Sequence, residues 1–421
     1  MNDILVKRKK FLGENIPTFY KKPIHIVKGQ GVWLYDSNGK RYLDCYNNVP
    51  HVGHCHPKVV EAISKQAATL NTHTRYLHDG IVNYAEMLTS KFSEELNQLI
   101  MVCTGSEAND IALRMAQAVT GKSGFIATDN TYHGNTSLVS QLSTRKPPIG
   151  GHSKNIRLIP APESITPLGG SHKTQADIFA RNTEKAINEL EEEGIGFAGL
   201  MLCPIFANEG FPIVLPGFLD QTIEIIKKAG GLIISDEVQS GFGRIGSHWW
   251  GHECLGLKPD IVTLGKPMAN GHPVGAVITQ SDIMKSFQSA FGYFNTFGGN
   301  PVSCAAAIAT LKVLEDENLI ENAQNIGAYA LEKLKGISHP FIAEARGNGL
   351  FFGLEFINEK GQPAIDFTAK IVEEMRERGV LLNTIGKHRN TLKMRPPMPF
   401  SKENANLAIE TLADVLSDCP K

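Results

Sequence analysis

The chain has 421 residues, 42% of them hydrophobic, with 42 basic and 43 acidic side chains. This length supports a large core and two domains. The near-neutral net charge gives no reason to expect nucleic acid or an anionic membrane as a partner. No apolar stretch approaches the span of a bilayer, and the N-terminus, M-N-D-I-L-V-K-R-K-K-F, lacks a signal-type apolar region. Seven scattered cysteines without a C-x-x-C pair predict reduced thiols in a cytoplasmic protein.

The N-terminal part of the chain predicts an arm, a hairpin and a helix. Residues 1 to 22 indicate an irregular arm with a polar helical piece. Residues 24 to 44 indicate strands around a turn at D-S-N-G, and residues 58 to 70 have the apolar spacing of a helix.

A loop with three histidines, H-V-G-H-C-H-P, stands between the hairpin and that helix. His51, His54 and His56 are spaced i, i+3 and i+5 in a loop that contains Gly and Pro, and no second cluster of ligands lies nearby in the sequence. This spacing does not match a metal site, so no metal is predicted.

The next element pair has the features of a phosphate site. A strand over residues 100 to 103 is followed by T-G-S-E-A-N-D, which opens a helix running to about Val119. Gly105 and Ser106 would offer free backbone N–H groups at the positive end of the helix dipole, which suit a phosphate. A plain serine N-cap with a nearby acid explains the same letters, so the motif alone leaves both interpretations open.

A further strand, over residues 125 to 128, ends at T-Y-H-G, where the aromatic Tyr132 could simply cap the core. Residues 141 to 180 are rich in Pro, Gly, Ser and His and predict a long surface excursion, a kind of connection that often forms part of an active-site rim. A helix, a strand and a second helix are then predicted over residues 176 to 193, 198 to 202 and 219 to 229.

Two apolar strands each end near a charged residue. The run over residues 232 to 234 is followed closely by Asp236, and the run over residues 261 to 264 ends at Gly-Lys266-Pro. At the carboxyl ends of parallel strands, both side chains would face the crevice where such sheets bind ligands. An amine and an acid placed in this way suit pyridoxal phosphate, which needs a lysine for its Schiff base and a carboxylate at its pyridine nitrogen.

Other interpretations of this region exist. On spacing alone, an ordinary strand-end aspartate and a solvent-facing lysine explain the pattern at least as well. Gly241, Gly243 and Gly246 form a literal G-x-G-x-x-G, but the motif runs into S-H-W-W-G-H instead of opening a helix, which argues against a nicotinamide cofactor.

The alternation of strands and helices over residues 100 to 280 predicts a mostly parallel sheet covered on both faces. The regular alternation of strands and helices ends towards the C-terminus, where the predicted elements indicate a smaller α+β domain that the N-terminal hairpin completes. The predicted divisions are residues 1 to 55 for the arm and hairpin, 56 to 315 for the large domain and 316 to 421 for the C-terminal part of the small domain.

Several motifs together resemble the class III aminotransferase family of pyridoxal-phosphate enzymes. They are, in chain order, G-H-C-H-P, G-S-E-A, Y-H-G, D-E-V-Q-S-G-F-G-R, G-K-P-M-A-N-G-H-P and N-T-F-G-G-N-P. The resemblance covers essentially the whole chain and implies the type I fold of pyridoxal-phosphate-dependent transferases. Within the class, the chain is most similar to the branch of ethanolamine-phosphate phospho-lyases and alanine–glyoxylate aminotransferases.

The resemblance assigns roles to individual residues. Lys266 is implied to carry the Schiff base and to shuttle the substrate proton, while Asp236 keeps the pyridine nitrogen protonated. The remaining implied contacts within the subunit are Gly105 and Ser106 at the phosphate, Tyr132 and Val238 at the ring, and Gln239 near the phenolic oxygen. Thr296 is implied to reach the cofactor phosphate of the neighbouring subunit, which makes the protein a homodimer; a glycine-rich turn capped by threonine explains the same letters.

Two departures from the family pattern leave the substrate open. Many class III transaminases have E-P-x-x-G-E-G-G, whose second acid can pair with a substrate-binding arginine, whereas this chain has Asn208 at that place and Glu209 one position later. Lys393 stands where that arginine is expected, and Arg395 follows two positions on. On a strand they would share a face as a doubled cation, suited to a substrate carboxylate or phosphate; two solvated cations beside a Pro-Pro turn explain the same residues.

The sequence therefore predicts a class III aminotransferase that moves an amino group from a small primary amine or amino acid to a 2-oxo acid. The alternative is a phospho-lyase that eliminates phosphate from ethanolamine phosphate or a related phospho-amine, because both reactions begin with the same deprotonation and the two departures favour the lyase branch. A non-catalytic cofactor-binding protein is the third hypothesis.

Overall fold

The computed structural model describes residues 2–14 and 16–419. The N-terminal elements are, in chain order, α1 (Asn2–Leu12), β1 (Ile26–Gln30), β2 (Trp33–Asp36), β3 (Arg41–Asp44), α2 (Pro57–Ala67) and α3 (Asp79–Thr89). They are followed by β4 (Gln98–Val102), α4 (Gly105–Thr120), β5 (Gly124–Thr128), β6 (Ile156–Ile159), α5 (His172–Glu192), β7 (Phe197–Leu202), α6 (Asp220–Ala229), β8 (Leu232–Asp236), α7 (Gly251–Cys254), β9 (Ile261–Leu264), β10 (Gly275–Thr279) and α8 (Ser281–Ala290). The C-terminal elements are α9 (Pro301–Asp316), α10 (Leu319–Lys335), β11 (Ile342–Asn348), β12 (Phe351–Phe356), α11 (Ile365–Glu377), β13 (Val380–Leu381), β14 (Asn383–Ile385), β15 (Thr391–Met394) and α12 (Lys402–Asp418).

A seven-stranded sheet forms the centre of the fold, in the order β4-β10-β9-β8-β7-β5-β6. Neighbouring strands from β9 to β6 are parallel, whereas β10 runs antiparallel to both β4 and β9. Adjacent residues of β8 belong to separate apolar cores, Ile234 to one and Ile233 to the other, because successive side chains of a strand point to opposite faces. Both faces of this sheet are therefore buried.

Two four-stranded sheets complete the fold, in the orders β1-β2-β3-β13 and β11-β12-β15-β14. The first joins the two ends of the chain, since β13 pairs in parallel with β3 and places Val380 opposite Leu43. In the second, β15 lies between β12 and β14 and carries Lys393. The N-terminal hairpin thus pairs with the C-terminal region, as the sequence predicted.

The predicted α/β class with a mostly parallel central sheet is confirmed. The sequence predicted a long surface excursion over residues 141 to 180, and this segment also contains the edge strand β6, which pairs with β5. Among the described residues no helix is long and apolar enough to cross a bilayer. The division of the chain at residues 55 and 315 stays a prediction.

Candidate active site

The acid and the amine lie at the ends of neighbouring strands. Asp236 is the last residue of β8, and Lys266 comes two positions after β9, which is parallel to β8 and pairs Thr263 with Asp236. Lys266 has a φ of +34°, an uncommon conformation for a residue with a side chain. Outliers of this kind cluster at functional sites, where the surrounding structure holds them in place.

Asp236 is held by three donors. It is only 4% exposed; its Oδ1 accepts from the backbone N–H of Val238 at 3.0 Å, and its Oδ2 accepts from Nδ1 of His133 at 2.6 Å and from Nδ2 of Asn109 at 3.1 Å. Asn109 is fixed in turn by the hydroxyl of Thr263, which donates to its Oδ1. The carboxylate is therefore positioned before any ligand arrives.

His133 and Asn109 were not predicted as site residues. Asn109 stands in α4 and gives no local signal, because its contact with Asp236 spans 127 positions of the sequence. His133 follows Tyr132 in the Y-H-G motif, so this motif is the sequence signal that points to it.

The N-terminus of α4 provides free donors. The N-cap is Thr104, whose hydroxyl accepts from the backbone N–H of Glu107 at 3.1 Å. This cap leaves the N–H groups of Gly105 and Ser106 without a protein acceptor among the described residues, at the positive end of the helix dipole. The interpretation of Ser106 as a plain N-cap is wrong, because Thr104 has that role.

Close packing shapes the cavity beside that helix. A Cβ on Gly105 would lie 3.0 Å from Cγ2 of Val238, and a Cβ on Gly134 would lie 2.5 Å from Oγ of Ser106. Gly134 also has a φ of +144°, which strongly favours glycine. Both glycines let the backbone approach these side chains more closely than any other residue would.

The cavity between these groups has a volume of about 210 Å³. All of the predicted cofactor residues line it except Thr296, and His133, Gly134 and Cys203 complete its wall. Thr296 is exposed and lies outside the cavity of its own chain.

The pKa of the Lys266 amine is lower than that of an ordinary lysine. Burial, and then the positive charge of Arg395, lower its pKa to about 8, and the carboxylate of Asp236 opposes that shift. A lysine with this pKa is partly neutral near physiological pH, and the neutral amine is the form that attacks a carbonyl or accepts a proton.

Lys393 and Arg395 face the same side, as the spacing predicted. Their cationic groups lie 5.4 Å and 5.0 Å from the centre of the Tyr46 ring, and both residues are buried, at 3% and 7% exposed. Burial, and then Arg395, lower the pKa of Lys393 well below its ordinary value. The interpretation of these residues as two solvated cations is wrong.

The excursion after Tyr132 adds a cation that the sequence did not single out. Arg145 donates to Oδ1 of Asn208 at 3.3 Å and is close enough to Lys393 for their charges to interact. Glu209 turns away to accept from the hydroxyl of Thr128 at 2.6 Å, and burial raises its pKa. Asn208 is therefore the residue that meets the arginine, and it has no charge.

These residues fit pyridoxal phosphate. The free N–H groups of Gly105 and Ser106 match its phosphate, Asp236 matches its pyridine nitrogen and Lys266 its aldehyde. The three loop histidines do not converge, since His51 contacts the carbonyl of Phe242, His54 contacts Asp44, and His56 contacts Glu317.

Comparisons with known proteins show which sequences and structures the chain resembles. The sequence model of the family described as Aminotransferase class-III matches residues 17–416. The chain is 39% identical to "Alanine--glyoxylate aminotransferase 2-like" of Drosophila melanogaster, over 95% of this chain and 84% of that protein. It is 35% identical to "Ethanolamine-phosphate phospho-lyase homolog 1" of Caenorhabditis elegans, over 99% of this chain and 93% of that protein. Among solved structures, a phospholyase from Arthrobacter in complex with phosphoethanolamine is similar with a TM-score of 0.96 and 40% identity, over 99% of this chain and 100% of that one.

Proposed function

The chain belongs to the class III aminotransferase family of pyridoxal-phosphate-dependent enzymes, and we propose that it eliminates phosphate from ethanolamine phosphate or a closely related small phospho-amine. One water molecule is consumed, and the products are an aldehyde, ammonia and inorganic phosphate. Transfer of the amino group from a small amine to a 2-oxo acid is the second candidate, because relatives of both kinds resemble the whole chain.

The observation that carries the proposal is a group of cations around Lys393, none of which forms an ion pair with a carboxylate of the described residues. The group consists of Lys393, Arg395, Arg145 and Arg389. The charges that act most strongly on Lys393 are all positive, including that of Lys266. Within residues 2–14 and 16–419, no carboxylate lies within ion-pair distance of any member of the group, and Glu209 acts on Arg145, as Asp44 does on Arg395, only through attraction over a longer distance. A phosphate dianion neutralises such a group better than a single carboxylate does.

The neutral residue at position 208 supports the same substrate. Where many class III transaminases have an acid that can pair with the substrate-binding arginine, Asn208 accepts a hydrogen bond from Arg145 without neutralising it. The acid that follows in the sequence, Glu209, accepts a hydrogen bond from the hydroxyl of Thr128. The positive charge of the group is thus available to a doubly charged substrate.

Each residue then has a defined part in the proposed reaction. When bound, pyridoxal phosphate withdraws electrons from the amine-bearing carbon of the substrate. Lys266, with a pKa of about 8, takes the proton from that carbon. Asp236 holds its position at the pyridine nitrogen through His133 and Asn109, while Lys393 and Arg145 bind the phosphate that leaves.

The proposal includes a cytoplasmic homodimer in which the partner subunit's Thr296 completes the phosphate site. Two features support it. The loop of Thr296 contains two exposed apolar side chains, Phe294 at 45% and Phe297 at 70%, and His73 joins Phe294 to the exposed ring of Tyr76. Exposed apolar patches of this kind are typical of protein interfaces. All seven cysteines are free thiols, which fits a reducing compartment.

The experiment is incubation of the purified holoenzyme with phosphoethanolamine and no oxo acid. We expect release of phosphate and ammonia in equal amounts, and none from a Lys266→Ala variant. Strict dependence of turnover on pyruvate or glyoxylate, without phosphate release, would overturn the proposal in favour of transamination.

A further inference from the structure

Arg395 is fixed by three hydrogen bonds. Its backbone N–H donates to the carbonyl of Cys45 at 2.8 Å, its Nε donates to the carbonyl of Tyr46 at 2.9 Å, and its Nη1 donates to Oε1 of Gln239. Both Arg395 and Gln239 are 7% exposed. The guanidinium therefore bridges the backbone after β3 and a side chain that lines the cavity.

This bridge decides the orientation of the Gln239 amide. An arginine has only donors, so the amide atom that faces it must be the oxygen. The nitrogen, Nε2, is then the other end of the amide, and no protein acceptor among the described residues takes its hydrogens. Gln239 lines the cavity together with Asp236 and Lys266, so a donor is left for a ligand bound there.

We propose that Arg395 is a positioning residue, which acts through Gln239 by holding its Nε2 ready to donate to the phenolic oxygen of bound pyridoxal phosphate. Without the guanidinium, the amide is free to turn and to present its oxygen to that phenolic oxygen, which is repulsive. This role holds for phosphate elimination and for transamination alike, so it does not rest on the proposed reaction.

The expected signature lies in the cofactor and not in turnover. A donor to the phenolic oxygen stabilises its anionic form, so the proton shared between that oxygen and the Lys266 nitrogen is released at a lower pH. Loss of the donor therefore raises the pH midpoint at which the absorbance spectrum of the bound cofactor changes.

Charge alone would produce part of the same shift. Arg395 is a cation close enough to Lys266 to lower its pKa, and Lys393 is close enough to Lys266 for the two positive charges to repel each other. A single substitution of Arg395 therefore cannot separate positioning from charge. A double-mutant cycle can, because a charge effect is independent of Gln239 and a positioning effect is not.

The test measures the spectral midpoint of the substrate-free holoenzyme in wild type, Arg395→Met, Gln239→Leu and the double variant. We expect Arg395→Met to shift the midpoint in both backgrounds, and the shift in the Gln239→Leu background to be smaller than the shift in wild type. The difference between the two shifts should be at least about 0.5 pH unit, which corresponds to the usual strength of one hydrogen bond. Lys393→Met is the matched control, since it removes a nearby cation that makes no hydrogen bond to Gln239, and its shift should be equal in both backgrounds.

Equal shifts by Arg395→Met in the two backgrounds would show that only its charge acts, and the proposal would be overturned. Should Arg395→Met fail to fold or to hold the cofactor, Arg395→Lys serves in the same cycle. Lysine keeps the charge but cannot bridge Tyr46 and Gln239 at once, so we expect a midpoint shift that depends on Gln239, and additivity would again refute the role.

Discussion

Replacement of Lys393 by methionine should weaken the binding of phosphoethanolamine while leaving the protein folded. The lysine is buried at 3% exposed, and its cationic neighbours repel it. Methionine fills a similar volume without a charge, so the free energy of unfolding of the apoprotein should stay the same or rise. The binding of phosphoethanolamine is therefore expected to weaken without a loss of stability.

The size of the functional effect follows from one lost contact. A hydrogen bond to a charged group contributes about 1.5–3 kcal/mol, which corresponds to a rise of roughly 10- to 150-fold in KM for phosphoethanolamine. The assay is the initial rate of phosphate release over a range of substrate concentrations, together with thermal unfolding of the apoprotein.

Lys387→Met is the control from the same hairpin, between β14 and β15. Its side chain is 50% exposed and lies 3.8 Å from Glu163, and an exposed pair of this kind contributes little. A KM for phosphoethanolamine that stays within twofold of wild type in Lys393→Met, or that rises equally in Lys387→Met, would show that Lys393 does not bind the substrate phosphate.

Three further predictions concern the cofactor. Capture of pyridoxal phosphate by the apoenzyme should accelerate as pH rises towards about 8 and level off above it, because the attacking amine of Lys266 must be neutral; a rate independent of pH between 6.5 and 9, followed by absorbance, would contradict this. Gly105→Ala should weaken cofactor affinity several-fold in a titration, since its Cβ would lie 3.0 Å from Val238; unchanged affinity would show that a Cβ at position 105 does not disturb the phosphate site. Co-expression of Thr296→Ala with Lys266→Ala subunits should restore activity, because each mixed dimer contains one intact site; activity no higher than that of either variant alone would exclude a shared site.

The sequence predicted those parts of the fold that short apolar runs and turn residues specify locally. The strand over residues 261 to 264 has the predicted bounds, and the strand ending at Asp236 extends the predicted run by two residues. The convergence of Asp236 and Lys266 was predictable as well, because parallel strands place their carboxyl ends at one edge of the sheet.

Features that depend on distant contacts were not predictable in this way. β6 is an edge strand of only four residues, which contains Arg157 and stands between segments rich in turn residues, so its composition resembles a loop. The contacts of Asp236 with His133 and of Arg395 with Gln239 join residues more than 100 positions apart. Local patterns say nothing about such pairs, and the orientation of the Gln239 amide follows only from its neighbour.

The claim that the cation group holds the substrate phosphate is tested most directly by a crystal structure of the Lys266→Ala variant with pyridoxal phosphate and phosphoethanolamine, since this variant cannot complete turnover. We expect phosphate oxygens within about 3 Å of Nζ of Lys393 and of the Arg145 guanidinium. A substrate phosphate directed to solvent, with Lys393 and Arg145 making no contact to it, would show that the cation group does not hold the substrate.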